Sequence, residues 1–476
     1  MSTILSFFPS GLTPRAGQVE VLLKLEAEWQ RSDVFCLVLP TAFGKSACAL
    51  TIAKWAGQAQ IIVPNNLLLQ QYADCRSGIP LGKRREDYWC ATSKRSCEAQ
   101  HKAVKQCCAD VCPYTKALQS YTKSPLGISN YYTYLAHKPY RSTLIIDEVQ
   151  CALELLKELA RKKLWQAEYR YPADARSFGD LIGWLEKLTA GSRTLDTKLA
   201  KLQKALLALE PSTLVRRSTQ AWRGEPRDVL ELLPLDVRNE PPVLWPPHRV
   251  RRLVLMSATL ARPDLEAMGL AGRRVCWIEG ASPIPAERRA VLYQPVGNMS
   301  FAHQDATLPK VAEALVALAS SNPGKGLVHT PYAVAEKLRQ YLGGNPRFQW
   351  HSRQDKKACY EAWQASSPEQ GRVLVGSGLY EGIDLAYDLA RWQAICKVPY
   401  LSLADPAIRW LAENKPETYA WQAVKALMQA TGRVCRTPED EGKTFILDSS
   451  FGTLYSRNSG LFSSWWRDAY QEGSKK

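Results

Sequence analysis

No apolar run in these 476 residues approaches the ~18 needed to span a membrane. Residues 1–11 also lack the basic start and long apolar stretch of a signal peptide. The expectation is a cytoplasmic protein with no membrane partner. Thiols stay reduced there, so the thirteen cysteines are not expected to form disulfides. Acidic residues are in deficit, 46 against 62 Lys and Arg, which gives a net charge of +16 and a pI near 9.2. That deficit points to a polyanionic partner, nucleic acid foremost. A basic soluble protein without such a partner has the same balance. Short-period repeats are missing too, so the length reads as separate globular domains, roughly three on a soft prior.

What is present is organised around Leu39-Pro40-Thr41-Ala42-Phe43-Gly44-Lys45-Ser46. An apolar run leads into it and a helical run follows: strand, phosphate loop, helix. Backbone N–H groups of Thr41, Ala42, Phe43 and Gly44 at a helix N-terminus would meet phosphate oxygens, with the macrodipole adding to the attraction. Gly44 permits close approach, Lys45 would reach the β- and γ-phosphates, and the Ser46 hydroxyl would hold Mg²⁺. The strict phosphate-loop pattern fails at its first position, where Leu39 stands. Upstream, Gln18 opens a helical pattern. Its amide both donates and accepts, so it can read an adenine edge, or it is simply an exposed helix start.

Residues 61–63 read as the next strand, at a βαβ spacing that suits a parallel sheet. Residues 143–147 form another, ending in Asp147-Glu148. Acids at a strand's C-terminal edge sit where sheet ligands bind. Asp147 would orient Mg²⁺, and Glu148 would polarise the attacking water. Residues 252–256 end in Ser257-Ala258-Thr259, whose hydroxyls either relay nucleotide state or make a routine turn. Between these strands, Leu181, Ile182, Trp184, Leu185 and Leu188 fit one helix face. Leu195, Leu199, Leu202, Leu206 and Leu209 fit another, so the segment reads as a helical insertion. Pro283 and Pro285 mark a linker. A second α/β pattern follows it, with strands at 326–329, 372–376, 394–398 and 444–447. The tail carries Phe462, Trp465 and Trp466, too aromatic for disorder.

Residues 76–123 carry ten Lys and Arg against four Asp and Glu, interleaved with Tyr88, Trp89, Tyr114 and Tyr121. A basic surface with aromatics suits a single nucleic-acid strand, while a satellite domain with a solvated basic face is the alternative.

The order of these pieces resembles the XPD/DinG family of superfamily 2 DNA helicases. Gln18, Gly44-Lys45-Ser46, Asp147-Glu148 and Ser257-Ala258-Thr259 are followed by Tyr380-Glu381-Gly382-Ile383-Asp384 and Gln429-Ala430-Thr431-Gly432-Arg433-Val434-Cys435-Arg436. Lys397-Val398-Pro399-Tyr400, Asp405-Pro406, Asp440-x-Gly442, Leu447-Asp448 and Asn130-Tyr131-Tyr132 point to the same branch. The phosphate loop fits that family's Ala-Pro-Thr-Gly-x-Gly-Lys-Thr form better than the strict pattern, with Ala42 departing.

The resemblance implies an α/β architecture of two RecA-like parallel-sheet lobes with ATP in the cleft between them. It places lobe 1 at residues 1–289, with a cysteine-rich module at 76–125 and an arch-like helical insertion at 151–245, and lobe 2 at 290–476. Gln18 would contact adenine, Asp384 would join the nucleotide contacts, and Gln429 would lie near the γ-phosphate. Arg433 and Arg436 would neutralise transition-state charge, a service worth roughly 10³–10⁵ in GTPases. Single-stranded and forked DNA would be the partners of a monomer moving 5′→3′, in a prokaryotic cell or as a phage or mobile-element protein. An RNA helicase, a translocase that displaces proteins without unwinding, and a non-catalytic nucleic-acid-binding scaffold are the rivals. The chain departs from the family at Gln150, where His is usual, and at Val149, where Ala is usual.

Cys90, Cys97, Cys107, Cys108 and Cys112 fall where the family carries a [4Fe–4S] domain, and Arg85-x-x-Tyr88-x-Cys90 and Cys112-Pro113-Tyr114 resemble its ligand contexts. The resemblance implies Cys90, Cys97, Cys108 and Cys112 as ligands, with Cys107 possible in place of Cys108 and Cys75 a bystander. By residue type alone, four thiolates serve zinc equally well.

Overall fold

Strands that are covered on both faces must be apolar throughout, and Val34–Val38 (β1) is buried at every position. The computed structural model describes residues 3–75, 78–93, 95–104, 111–190, 197–207, 209–222, 224–378, 389–435 and 437–472. The chain divides into two compact units. The first comprises Met1–Leu39, Gly44–Gly280 and Asp405–Ala407; the second comprises Pro40–Phe43, Ala281–Ala404 and Ile408–Lys476. The linker expected from Pro283 and Pro285 thus opens the main body of the second unit.

After β1 the first unit runs through Ala59–Val63 (β2), Leu81–Gly82 (β3), Leu126–Asn130 (β4) and Thr143–Asp147 (β5). An insertion contributes Lys162–Trp165 (β6), Leu214–Trp222 (β7) and Glu225–Leu233 (β8). The chain then returns through Arg252–Ser257 (β9) and Val275–Glu279 (β10). The main sheet has the order β10-β1-β9-β5-β2-β4-β3, and its pairings are parallel. β9 therefore lies between β1 and β5. Its register sets Val38 beside Ser257 and Asp147 beside Met256, so three motif-bearing strands end level. The step from β1 to β2 skips two strand positions, the kind of switch point where open α/β sheets bind ligands.

The insertion departs from the all-helical expectation. Its leucine stripes do form helices, Phe178–Ala190 and Thr197–Leu207, with Leu181, Leu185, Leu202 and Leu206 buried. They pack against an antiparallel sheet of order β6-β8-β7, with which they share one apolar core. The β7–β8 hairpin is polar at its tip and turns on Gly224 at φ +88°. Its base is anchored in that core through Leu230 and Leu232, with Val215 packed against it.

The second unit contains Val291–Gly297 (β11), Gly326–His329 (β12), Phe348–Trp350 (β13), Val373–Gly376 (β14), Trp392–Ile395 (β15), Lys443–Asp448 (β16) and Tyr470–Glu472 (β17). Their order is β13-β14-β12-β15-β16-β11-β17, again parallel. Two seven-stranded parallel sheets, each with helical crossovers, are the RecA-like pair. The aromatic tail is built in: Phe462 and Trp466 are buried against Phe451 and Tyr455, and the final strand pairs with β11.

Candidate nucleotide site, arginine helix and cysteine module

The phosphate loop leaves β1 and bends through two residues of positive φ, Ala42 at +63° and Gly44 at +88°. Gly44 meets both demands made of a glycine there. It holds the left-handed conformation, and an added Cβ would collide with Gln18 Nε2. Gln18 is buried beneath the loop. Its Oε1 accepts from Arg15 N–H at 2.9 Å and its Nε2 donates to Gly44 O at 3.3 Å. The side chain read as an adenine contact is thus also a strut between the first helix and the loop. Lys45 and Ser46 open the helix Lys45–Ala56, and Lys45 Nζ lies 3.0 Å from Glu148 Oε1.

Asp147 ends β5 and is almost fully buried. Its Oδ1 accepts from Glu148 N–H at 3.0 Å and its Oδ2 from the Tyr72 hydroxyl at 2.8 Å. The next residue, Glu148, takes φ +53°, uncommon for a side-chain-bearing residue. Tyr131 braces that turn by donating to Asp147 O at 2.7 Å and Glu148 O at 3.1 Å. Burial pushes the Asp147 carboxyl up to about 6 from 3.8; the Glu148 charge adds to this, while Lys45 and the Tyr72 hydrogen bond oppose it. Burial also holds Tyr72 and Tyr131 neutral, their pKa values pushed well above the ordinary phenol range.

Gln150 stands where the resembling family has His, and its amide makes the link that a donor–acceptor can make. Nε2 donates to Glu148 Oε2 at 2.7 Å, and Ser257 Oγ donates to Gln150 Oε1 at 2.7 Å. Thr259 N–H donates to Ser257 Oγ at 3.0 Å, and Leu39 N–H to Ser257 O at 2.8 Å. Lys45, Glu148, Gln150 and Ser257 form one polar chain across the ends of β1, β9 and β5.

In the second unit Gln429 is half-buried on the helix Pro416–Thr431, and Arg433 follows its C-terminus. A buried network holds this helix end. Gln393 Nε2 donates to Ala430 O at 2.9 Å and Thr444 Oγ1 at 2.8 Å, while Gln393 Oε1 lies 2.8 Å from His329 Nε2. Burial, with the Arg433 charge adding to it, pulls His329 down to about 4. Trp466 Nε1 donates to Thr431 Oγ1 at 2.9 Å, tying the aromatic tail to the same helix. Arg436 and Asp384 lie outside the described residues.

The cysteine module is drawn together by short backbone bonds: Cys90 N–H to Arg95 O at 2.7 Å and Cys97 N–H to Tyr88 O at 2.7 Å. Cys90, Cys97 and Cys112 are buried, and the Cys97 and Cys112 sulfurs are 4.0 Å apart. The neighbouring polar groups of Ser93 and Thr92, the latter's hydroxyl 3.2 Å from the sulfur, pull the Cys90 thiol down to about 6, towards the thiolate that binds metals. Among the described residues, no three His, Cys, Asp or Glu side chains close into a metal-sized group. Cys107 and Cys108 lie outside the described residues. The expected aromatic strand-binding surface needs correction. Tyr121 is fully buried, donating to Ser129 Oγ at 2.8 Å, and Tyr114 is buried edge-on to Tyr88 with Arg85 above it. Trp89, 69% exposed, is the one of the four presented openly to solvent.

Residues 315–469 match the model of the helicase C-terminal domain family. The fold of the whole chain is that of solved XPD helicases. One XPD helicase structure is 16% identical with a TM-score of 0.62, covering 97% of this chain and 100% of its own. S. tokodaii Xpd4 is 14% identical with a TM-score of 0.58, at 97% and 100% coverage. An apo XPD structure is 15% identical with a TM-score of 0.56, at 95% and 100%. The chain thus shares the fold of these XPD helicase structures, and about a third of it matches the helicase C-terminal domain family. No curated protein matches it in sequence.

Within this XPD-like chain the fold brings Gln18, Gly44, Lys45, Asp147, Glu148 and Ser257 to one edge of the first sheet. Two residues of that edge carried no site signal in the sequence. Tyr72 sits in an ordinary helical run, and Tyr131 was notable only as part of Asn130-Tyr131-Tyr132.

Proposed function

We propose that this XPD-like chain is an ATP-dependent DNA helicase or translocase that binds single-stranded DNA and moves 5′→3′ to unwind duplexes. The observation that carries this reading is the unbroken polar chain from Lys45 through Glu148 and Gln150 to Ser257. Phosphates compete with Glu148 for Lys45. Nucleotide binding would therefore release Glu148 to polarise water and, through Gln150, disturb the Ser257 turn. Gln18 would contact adenine, and Thr41, Ala42 and Phe43 would wrap the phosphates. Ser46 and Asp147 would hold the Mg²⁺ that neutralises phosphate charge. Gln429, Asp384, Arg433 and Arg436 would act on the same nucleotide, the arginines where charge develops during transfer. The basic module, with Trp89 exposed at its surface, would grip a strand through phosphate attraction and stacking.

Cys90, Cys97, Cys108 and Cys112 are proposed to hold a [4Fe–4S] cluster that pins the module. A specific observation favours zinc as a second reading. The 4.0 Å between the Cys97 and Cys112 sulfurs is close to the edge of about 3.8 Å that 2.3 Å Zn–S bonds give a tetrahedron.

The deciding experiment measures ATP turnover and strand separation on forked DNA and forked RNA with either overhang. Turnover stimulated by DNA, with unwinding from a 5′ overhang, is expected. Stimulation by RNA alone, turnover without unwinding, or nucleic-acid binding without turnover would each replace the reading with one of its rivals.

A further inference from the structure

The helix Asn66–Asp74 starts on an Asn65 cap, which accepts from Leu68 N–H at 2.9 Å, and it places Tyr72 in the sheet's interior. Tyr72 is 0% exposed. A residue needed only to fill that space requires no hydroxyl, and a buried phenol must be given a partner. The partner is functional: Tyr72 donates to Asp147 Oδ2 at 2.8 Å, opposite the Glu148 N–H on Oδ1 at 3.0 Å. Two elements therefore meet at this hydrogen bond: the end of β5, and a helix that contributes no other group to the site. The helix is itself anchored, since Asn130 Nδ2 donates to Asn66 Oδ1 at 2.8 Å. A carboxylate fixed at both oxygens cannot swing about its Cβ–Cγ bond without breaking one of these bonds.

We propose that Tyr72 is a positioning residue for the divalent cation, holding the Asp147 carboxylate in a preformed arrangement. This rests on the nucleotide-site reading above. Outer partners of this kind typically control about 10–100-fold in metal affinity or activity. Tyr72→Phe keeps the ring and removes the hydroxyl.

The test measures binding of a fluorescent ATP analogue with and without Mg²⁺, and Mn²⁺ binding to the protein–nucleotide complex by electron paramagnetic resonance. Tyr72→Phe is expected to bind the metal-free nucleotide like the parent, which also shows that the variant is folded. Mn²⁺ binding should weaken about 10-fold, with a matching rise in the Mg²⁺ needed for half-maximal turnover. If Tyr72→Phe loses metal-free nucleotide binding too, the double variant Tyr72→Phe/Asp147→Asn decides. Mn²⁺ loss no larger than in Asp147→Asn supports action through Asp147, and additive losses overturn it. Unchanged Mn²⁺ binding in a folded Tyr72→Phe protein overturns the assignment of Tyr72 alone. A parent protein that binds no Mg²⁺–nucleotide overturns the nucleotide-site reading itself.

Discussion

Lys45 and Glu148 share one ion pair, so changing each in turn separates the two services it joins. Lys45→Ala is expected to abolish turnover while largely preserving single-strand binding, measured by phosphate release and by fluorescence anisotropy with labelled DNA. Glu148→Gln is expected to lose turnover yet still bind ATP, because the lost charge acts on water rather than on nucleotide. Asp147 makes a different prediction, about stability. Its carboxyl titrates near 3.8 in the unfolded chain and about 6 when buried. Below the first value both states are protonated, and the group leaves stability unchanged relative to Asn. Between the two only the unfolded state ionises, so stability falls as pH rises, and above the second the full cost persists. Asp147→Asn, whose amide can still meet Glu148 N–H and a reoriented Tyr72 hydroxyl, should therefore be inactive. At pH 8 it should be more stable than the parent, a gain absent near pH 4 in urea melts. The placement of Gly44-Lys45-Ser46 and Asp147-Glu148 at strand ends was legible, because each follows an apolar run in sequence. Tyr72 was not, because its importance comes from β2 lying next to β5, and no local pattern records that adjacency.

Elements followed the same logic of burial. The β1, β2, β5 and β9 runs were readable because a doubly covered strand is continuously apolar. β4 hides behind Gly127, Ser129 and Asn130, which are chosen for close packing, hydrogen bonding and capping. β7 and β8 were missed because a hairpin with a solvated tip is polar over much of its length, and the flanking leucine stripes dominate the periodicity. The cysteine module was legible as composition but not as surface. Its tyrosines proved to be packing, since its apolar cluster centres on Cys97, Cys112 and Tyr114. So small a core should depend on its metal. Cys112→Ser is expected to abolish metal binding, checked by elemental analysis and, for iron, by loss of absorption near ~400 nm. Limited proteolysis should then cut within residues 76–125 first. Turnover should survive this change better than unwinding does. One zinc per chain in anaerobically prepared, active protein would replace the cluster while leaving the rest intact.

At the scale of the molecule, Lys45, Ser46, Asp147 and Glu148 belong to the first unit, and the helix that carries Gln429 and leads to Arg433 belongs to the second. A fragment of residues 1–289 is accordingly expected to fold and to turn over ATP at a small fraction of the full rate. Full activity from that fragment would remove Arg433 and Arg436 from the chemistry. The two-lobe plan was legible because strand–helix rhythm recurs on both sides of a proline-marked break, and each sheet needs only its own side chains to close. One topological detail sets a schedule. β9 lies between β1 and β5 although it follows both in the chain, and the whole insertion with its separate core comes before it. Pairing across such sequence separations is slow and comes late. On the ribosome, the cysteine module and the insertion are therefore synthesised before β9 emerges to pair between β1 and β5. A half-made chain thus carries β1 to β5 of the main sheet without β9, so the polar chain from Lys45 to Ser257 closes only after the insertion has been made.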